Sequence, residues 1–60
     1  MEFKDLIGKK VLIKKRGEDR ILEVRVIRVS PSGRYAEVGT GLYNTWWIDT
    51  YEYMILEVLE

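Results

Sequence analysis

Residues 21–29 read Ile-Leu-Glu-Val-Arg-Val-Ile-Arg-Val, and the phase of their hydrophobic alternation changes partway along. Leu22, Val24 and Val26 alternate with Glu23 and Arg25, the period of a strand with one buried face. At Ile27 two apolar residues stand side by side, after which Arg28 is expected to point out and Val29 in. A period-2 pattern that slips by one residue is what a β-bulge or a sharp bend does to a long strand. Such bends let a small sheet curl over on itself. The segment therefore commits the chain to a curled β-sheet with Leu22, Val24 and Val26 inside.

The flanking segments supply the rest of that sheet. Residues 9–15, Lys-Lys-Val-Leu-Ile-Lys-Lys, place Val11 and Ile13 on one face and Lys10, Leu12 and Lys14 on the other, a first strand. Before it, residues 2–8 carry apolar residues at helical spacing for one turn until Gly8 stops it, so Phe3 and either Leu6 or Ile7 are expected to cover one end of the core. Arg16-Gly17-Glu18-Asp19-Arg20 is a break of hairpin-loop length. Ser30-Pro31-Ser32-Gly33 has proline and glycine where a tight turn wants them, and residues 35–39 return as a third strand with Ala36 and Val38 in, Tyr35 and Glu37 out. A loop over residues 40–44 leads to a short fourth strand containing Thr45-Trp46-Trp47-Ile48. Asp49 or Thr50 then caps one helical turn through Glu52. Residues 54–59 close as a fifth strand, with Leu56 and Val58 expected to face opposite to Ile55, Glu57 and Leu59.

Length and composition narrow what such a sheet can do. The chain has 60 residues, which fit one domain spanning 1–60, and a domain of this size buries only about 60% of the surface its unfolded form exposes. Without cysteine or histidine there is no disulfide framework, no thiolate metal site, and neither the usual general base nor the commonest metal ligand. The expectation is therefore a protein that is not an enzyme and uses no cofactor. Residues 38–48 form the longest run free of charge, eleven positions, against the roughly 18 to 20 needed to cross a bilayer. With no signal-peptide pattern at the start, the expected location is the cytoplasm and no membrane partner is expected. The scarcity of amide side chains and the abundance of Glu, Lys, Arg, Ile and Val match a bias of hyperthermophile proteins, which suggests a thermophile source.

The order of elements, a strand, a long bent strand, a tight hairpin, two more strands, one helical turn and a last strand, resembles the SH3-like (Src-homology-3-like) and Tudor-like small barrels across the whole chain. The resemblance implies an all-β, five-stranded, partly open SH3-like barrel with one short helical turn before the last strand, which pairs back beside the first. Signalling members of that group open with an alanine-leucine-tyrosine-aspartate-tyrosine segment and bind proline-rich peptides, and this chain has no such opening. The resemblance points instead to Tudor-like domains, barrels appended to transcription and translation proteins, and small chromatin proteins of thermophilic archaea. Those relatives lean toward nucleic acid.

Charge and aromatics give the candidate residues. The net charge is zero, but residues 1–30 carry +4 and residues 31–60 carry −4. Lys9, Lys10, Lys14, Lys15, Arg16, Arg20, Arg25 and Arg28 fall on the first strand, its loop and the outer face of the second. A curved sheet would gather many of them for phosphate contacts. The competing expectation is that Glu57 and Glu60 come near Lys10 or Lys14 and that cross-strand ion pairs consume the charge. Of the paired tryptophans one must face out. Trp46 and Ile48 are read as core; Trp47 and Tyr35 are divided between filling the core and facing out as a stacking surface or a subunit contact, and shifting the register by one residue exchanges Trp46 and Trp47. Nucleic-acid binding is accordingly expected through Lys14, Lys15, Arg16, Arg25, Arg28, Tyr35 and Trp47, with DNA or RNA as partner. The alternative is a protein-interaction or homo-oligomeric piece that uses the apolar fifth strand, whose outer Ile55 and Leu59 would need cover. Ser30, Ser32, Thr40, Thr45 and Thr50 lack an activating histidine, and no small-molecule substrate is indicated.

Overall fold

A computed structural model describes residues 1–60. Five strands form one antiparallel sheet: β1 (Lys10–Lys15), β2 (Ile21–Val29), β3 (Tyr35–Gly39), β4 (Thr45–Asp49) and β5 (Tyr53–Val58). Two 3₁₀ turns, η1 (Phe3–Leu6) and η2 (Thr50–Glu52), precede β1 and β5. The spatial order is β4-β3-β2-β1-β5, so the last strand lies beside the first. The sheet curls into a five-stranded, partly open barrel with β4 and β5 as its two edges.

The slip in β2 is a bulge. Val26 pairs with Val38 and Arg28 with Glu37, leaving Ile27 as the extra residue between them. It is this insertion that lets Val24, Val26 and, past the bend, Val29 all turn toward the interior. The core is Val11 and Ile13 from β1, Val24 and Val26 from β2, Ala36 and Val38 from β3, and Ile48 from β4. Phe3 and Leu6 of η1 close one end of it, while Ile7 is exposed. Leu22, Val29 and Trp46 pack on its margin. A core this small has no redundancy. Truncating Ile13 to alanine costs about 2–5 kcal/mol, comparable with the roughly 3–5 kcal/mol that a single core supplies at this size.

A second bulge corrects the expected facing of β5. Leu12 pairs with Glu57 and Ile13 with Ile55, so Leu56 is extra. The extra residue breaks the strict alternation. Tyr53, Ile55 and Val58 all pack against the core, whereas Met54, Leu56 and Leu59 are exposed. Ile55 and Val58 therefore share a face, Ile55 needs no outside cover, and the bare residues are Met54, Leu56 and Leu59.

Two glycines are required where they stand. Gly33 ends the β2–β3 turn at φ +80°, a conformation that L side chains rarely adopt. At Gly39 a Cβ would sit 2.8 Å from Thr45 Cγ2 and 3.1 Å from the Asn44 carbonyl oxygen, so any side chain there would push back both neighbours where β3 and β4 close. No helix is long and apolar enough to cross a membrane.

Candidate nucleic-acid interface

Of the ten basic side chains, half are met by a carboxylate. Lys4–Glu2 (3.4 Å), Lys10–Glu23 (3.8 Å), Arg25–Glu60 (2.8 Å), Arg28–Glu37 (2.9 Å) and Arg34–Asp49 (3.1 Å) are the ion pairs. Lys9, Lys14, Lys15, Arg16 and Arg20 have none. Register explains the division. Arg28 lies directly across from Glu37. Lys14 has Ile21 on one side and Met54 on the other, and Lys15 lies beside Tyr53, so no acid is adjacent to either.

Arg25 is the most completely engaged cation. Its guanidinium donates to both carboxylate oxygens of Glu60, at 2.8 and 3.1 Å, and to the Gly8 carbonyl at 2.6 Å. This ties the end of β5 across β1 to β2. Glu60 reaches Arg25, with Lys10 near enough to add to the lowering of its pKa as expected, and Glu57 pairs across from Leu12. The Arg25 hydrogen bond holds the Glu60 carboxyl below its ordinary range, while Arg25 is pushed up by the same contact.

A different set converges around η2. Asp49 caps this turn by accepting the Tyr51 backbone N–H at 3.0 Å. The same carboxylate accepts from Arg34, and the Arg34 guanidinium lies 4.9 Å from the Tyr51 ring centre and 5.7 Å from that of Tyr35. Arg34 is thus a planar cation in reach of two rings, a cation–π geometry. Its pKa is raised, first by the Asp49 hydrogen bond. Asp49 is held low, first by the Tyr51 N–H; burial opposes this, and the Arg34 hydrogen bond and charge add lesser lowering. On the far side of η2, Arg16 donates its Nε–H to the Tyr51 carbonyl at 2.9 Å and its backbone N–H to the Glu52 carbonyl at 2.7 Å. Trp47 lies one cross-strand pair along from Tyr35 on the same outer face, since Tyr35 pairs with Asp49 and Glu37 with Trp47.

The sequence-predicted residues are consequently divided. Lys15 and Arg16 lie at one end of a strip that continues through Tyr51, Arg34 and Tyr35 to Trp47, and Lys14 adjoins it on β1. Arg25 stands apart, bound to the last residue of the chain. Arg28 shares its row with Glu37 and Trp47 but is neutralised there. Trp47 is 53% exposed, Tyr35 46% and Tyr51 67%. Arg34 and Tyr51 are not among the residues expected from sequence. A signal for them is present: Arg34 is the only basic residue of the second half, and an aspartate two residues before Tyr51 marks a capped turn.

The hydroxyls are occupied in shaping this region. Thr50 Oγ1 donates toward the Gly33 and Arg34 carbonyls, at 3.0 and 2.8 Å, locking the hairpin tip to η2. Ser30 Oγ accepts from the Tyr35 N–H and Ser32 Oγ from the Arg34 N–H. No three carboxylates converge on a point that would hold a cation. No family model, curated protein or solved structure matches this chain.

Proposed function

We propose that this chain is a small noncatalytic binding module that takes up single-stranded nucleic acid along the strip from Lys15 and Arg16 through Tyr51, Arg34 and Tyr35 to Trp47. The observation that carries the reading is Arg34 lying within 4.9 and 5.7 Å of two exposed tyrosine rings, with Arg16 tethered to the backbone of one of them. Alternating rings and cations suit a single strand, because unpaired bases stack on rings while phosphates seek guanidinium and ammonium groups. Base stacking on an aromatic side chain is worth about 1–3 kcal/mol per base. Lys14, Lys15 and Arg16 are free of carboxylates and can meet phosphate, whereas Arg25, Arg28 and Arg34 would first have to leave theirs, so Arg34 serves the strip by holding its two rings. Net charge zero makes the affinity modest and local rather than driven by a long-range field.

Fluorescence anisotropy of a labelled oligonucleotide, repeated at rising salt, tests this. The expected result is binding at low salt whose log affinity falls linearly with log salt, with a slope of about −0.7 per phosphate contacted. No binding at low salt, or binding indifferent to salt, contradicts the reading. A second reading, a protein-interaction or homo-oligomeric piece, is favoured by a separate observation, the uncovered edge of β5.

A further inference from the structure

β5 is hydrogen-bonded to β1 along one side and has no strand along the other. A groove of about 840 Å³ borders the strand. Its walls include Met1, Phe3, Met54, Leu56 and Val58, with Ser32 and Gly33 of the hairpin tip also contributing. Unpaired edges are usually blunted by lysine, proline or a bulge. No lysine, arginine or proline falls anywhere in residues 45–60. The Leu56 bulge is the sole device of that kind on β5, and Tyr53, Met54 and Ile55 before it remain regular.

We propose that β5 pairs edge to edge with β5 of a second copy of this chain, antiparallel about a two-fold axis that passes close to Ile55. Charge selects this occupant. Glu57 is the only charged residue within β5 and has no ion-pair partner in the protomer. For any axis strictly between Met54 and Leu56, antiparallel pairing keeps Glu57 away from its own copy and sets it opposite residues 52–54 of the other copy, where Glu52 is the one acid. The β1 neighbours of that stretch carry Lys14, beside Met54, and Lys15, beside Tyr53, with Arg16 hydrogen-bonded to Glu52. Those cations are three of the five without an ion pair. Each copy thus brings Glu57 toward the other's free cations, Lys14 first because it lies on the same face of the sheet, twice by symmetry, while apolar Met54, Ile55 and Leu56 meet at the axis. An unrelated extended segment would fill the groove equally well but would leave this charge match unexplained.

Sedimentation equilibrium from micromolar to millimolar concentration tests the pairing; oligonucleotide is left out, because Lys15 and Arg16 also belong to the ring-and-cation strip. The wild-type mass should rise from 7.1 kDa toward twice that value. Glu57→Lys should raise the midpoint concentration by about tenfold or more, because like charges then oppose each other at both symmetric sites. Combining Glu57→Lys with Lys14→Glu and Lys15→Glu should bring the midpoint back, and circular dichroism verifies that each variant is folded. A mass of 7.1 kDa throughout overturns the proposal. A dimer indifferent to Glu57→Lys, or a folded triple variant that fails to recover, also overturns it.

Discussion

Two groups of cations lie on neighbouring strands and have opposite fates. Arg25 and Arg28 on β2 point outward and are each held by a carboxylate, Glu60 and Glu37. Lys14 and Lys15, at the end of β1, point among Ile21, Met54 and Tyr53 and meet no acid. In the sequence all four belong to one basic run of the first half. The difference comes from what lies across the strand, and that is set by residues far along the chain. Availability for a ligand is therefore a property of register, and a basic residue opposite an acid is already spent.

The largest expected effect removes the ring that joins the two ends of the strip. Tyr51→Ala deletes one stacking surface and one of the two rings beside Arg34, and should weaken oligonucleotide binding by the equivalent of about 1–3 kcal/mol. Anisotropy titration reads this, and a melt should show little change because the ring is 67% exposed. An unchanged affinity would mean that the rings do not stack bases.

Next in size is the salt slope. Lys15→Ala with Arg16→Ala should flatten the slope by about 0.7 for each phosphate the variant no longer neutralises, whereas Arg28→Ala should leave it unaltered. Equal flattening by both variants would erase the distinction between free and paired cations. The converse change sharpens it. Glu37→Gln releases Arg28 beside Trp47 and should raise low-salt affinity and steepen the slope. The gain is capped by the modest strength of an exposed pair, about 0.2–1 kcal/mol.

The smallest effect is on stability in acid. Asp49 and Glu60 both have folded pKa values below their ordinary ones. Their contribution is then fully present above the ordinary values of 3.8 and 4.5 and is lost as pH falls through the lower folded values. Melting temperature followed from neutral pH downward should fall in that acid window. Asp49→Asn and Glu60→Gln should each make the fall shallower. A melting curve flat through the window, or variants that fall as steeply as the wild type, would show that these pairs add nothing.

Much of the fold is legible in the sequence because it rests on local alternation. The Ile27 bulge, the inward Val11, Ile13, Ala36 and Val38, and a cap at Asp49 or Thr50 follow from side-chain period and turn chemistry; that Trp47 rather than Trp46 faces out does not, because a one-residue shift of register exchanges them. The β5 bulge is not legible, since Tyr-Met-Ile-Leu-Glu-Val is apolar at almost every position and any phase fits it. The candidate strip is half legible. Tyr35, Trp47, Lys15 and Arg16 can be named from residue type, but their connection runs through Arg34 and Tyr51, and depends on Asp49 serving both as helix cap and as arginine partner. Such a double role is a tertiary fact. The neutralisation of Arg25 by Glu60 is another, because it joins residues 35 apart across an intervening strand.

Amide and side-chain NMR shifts, followed while a single-stranded oligonucleotide is titrated into the folded protein, test the central claim most directly. The account predicts perturbations concentrated on Arg16, Arg34, Tyr35, Trp47 and Tyr51, with Arg25 and Glu60 unmoved. Perturbations centred on Arg25 and Arg28, or none at saturating oligonucleotide and low salt, would contradict it.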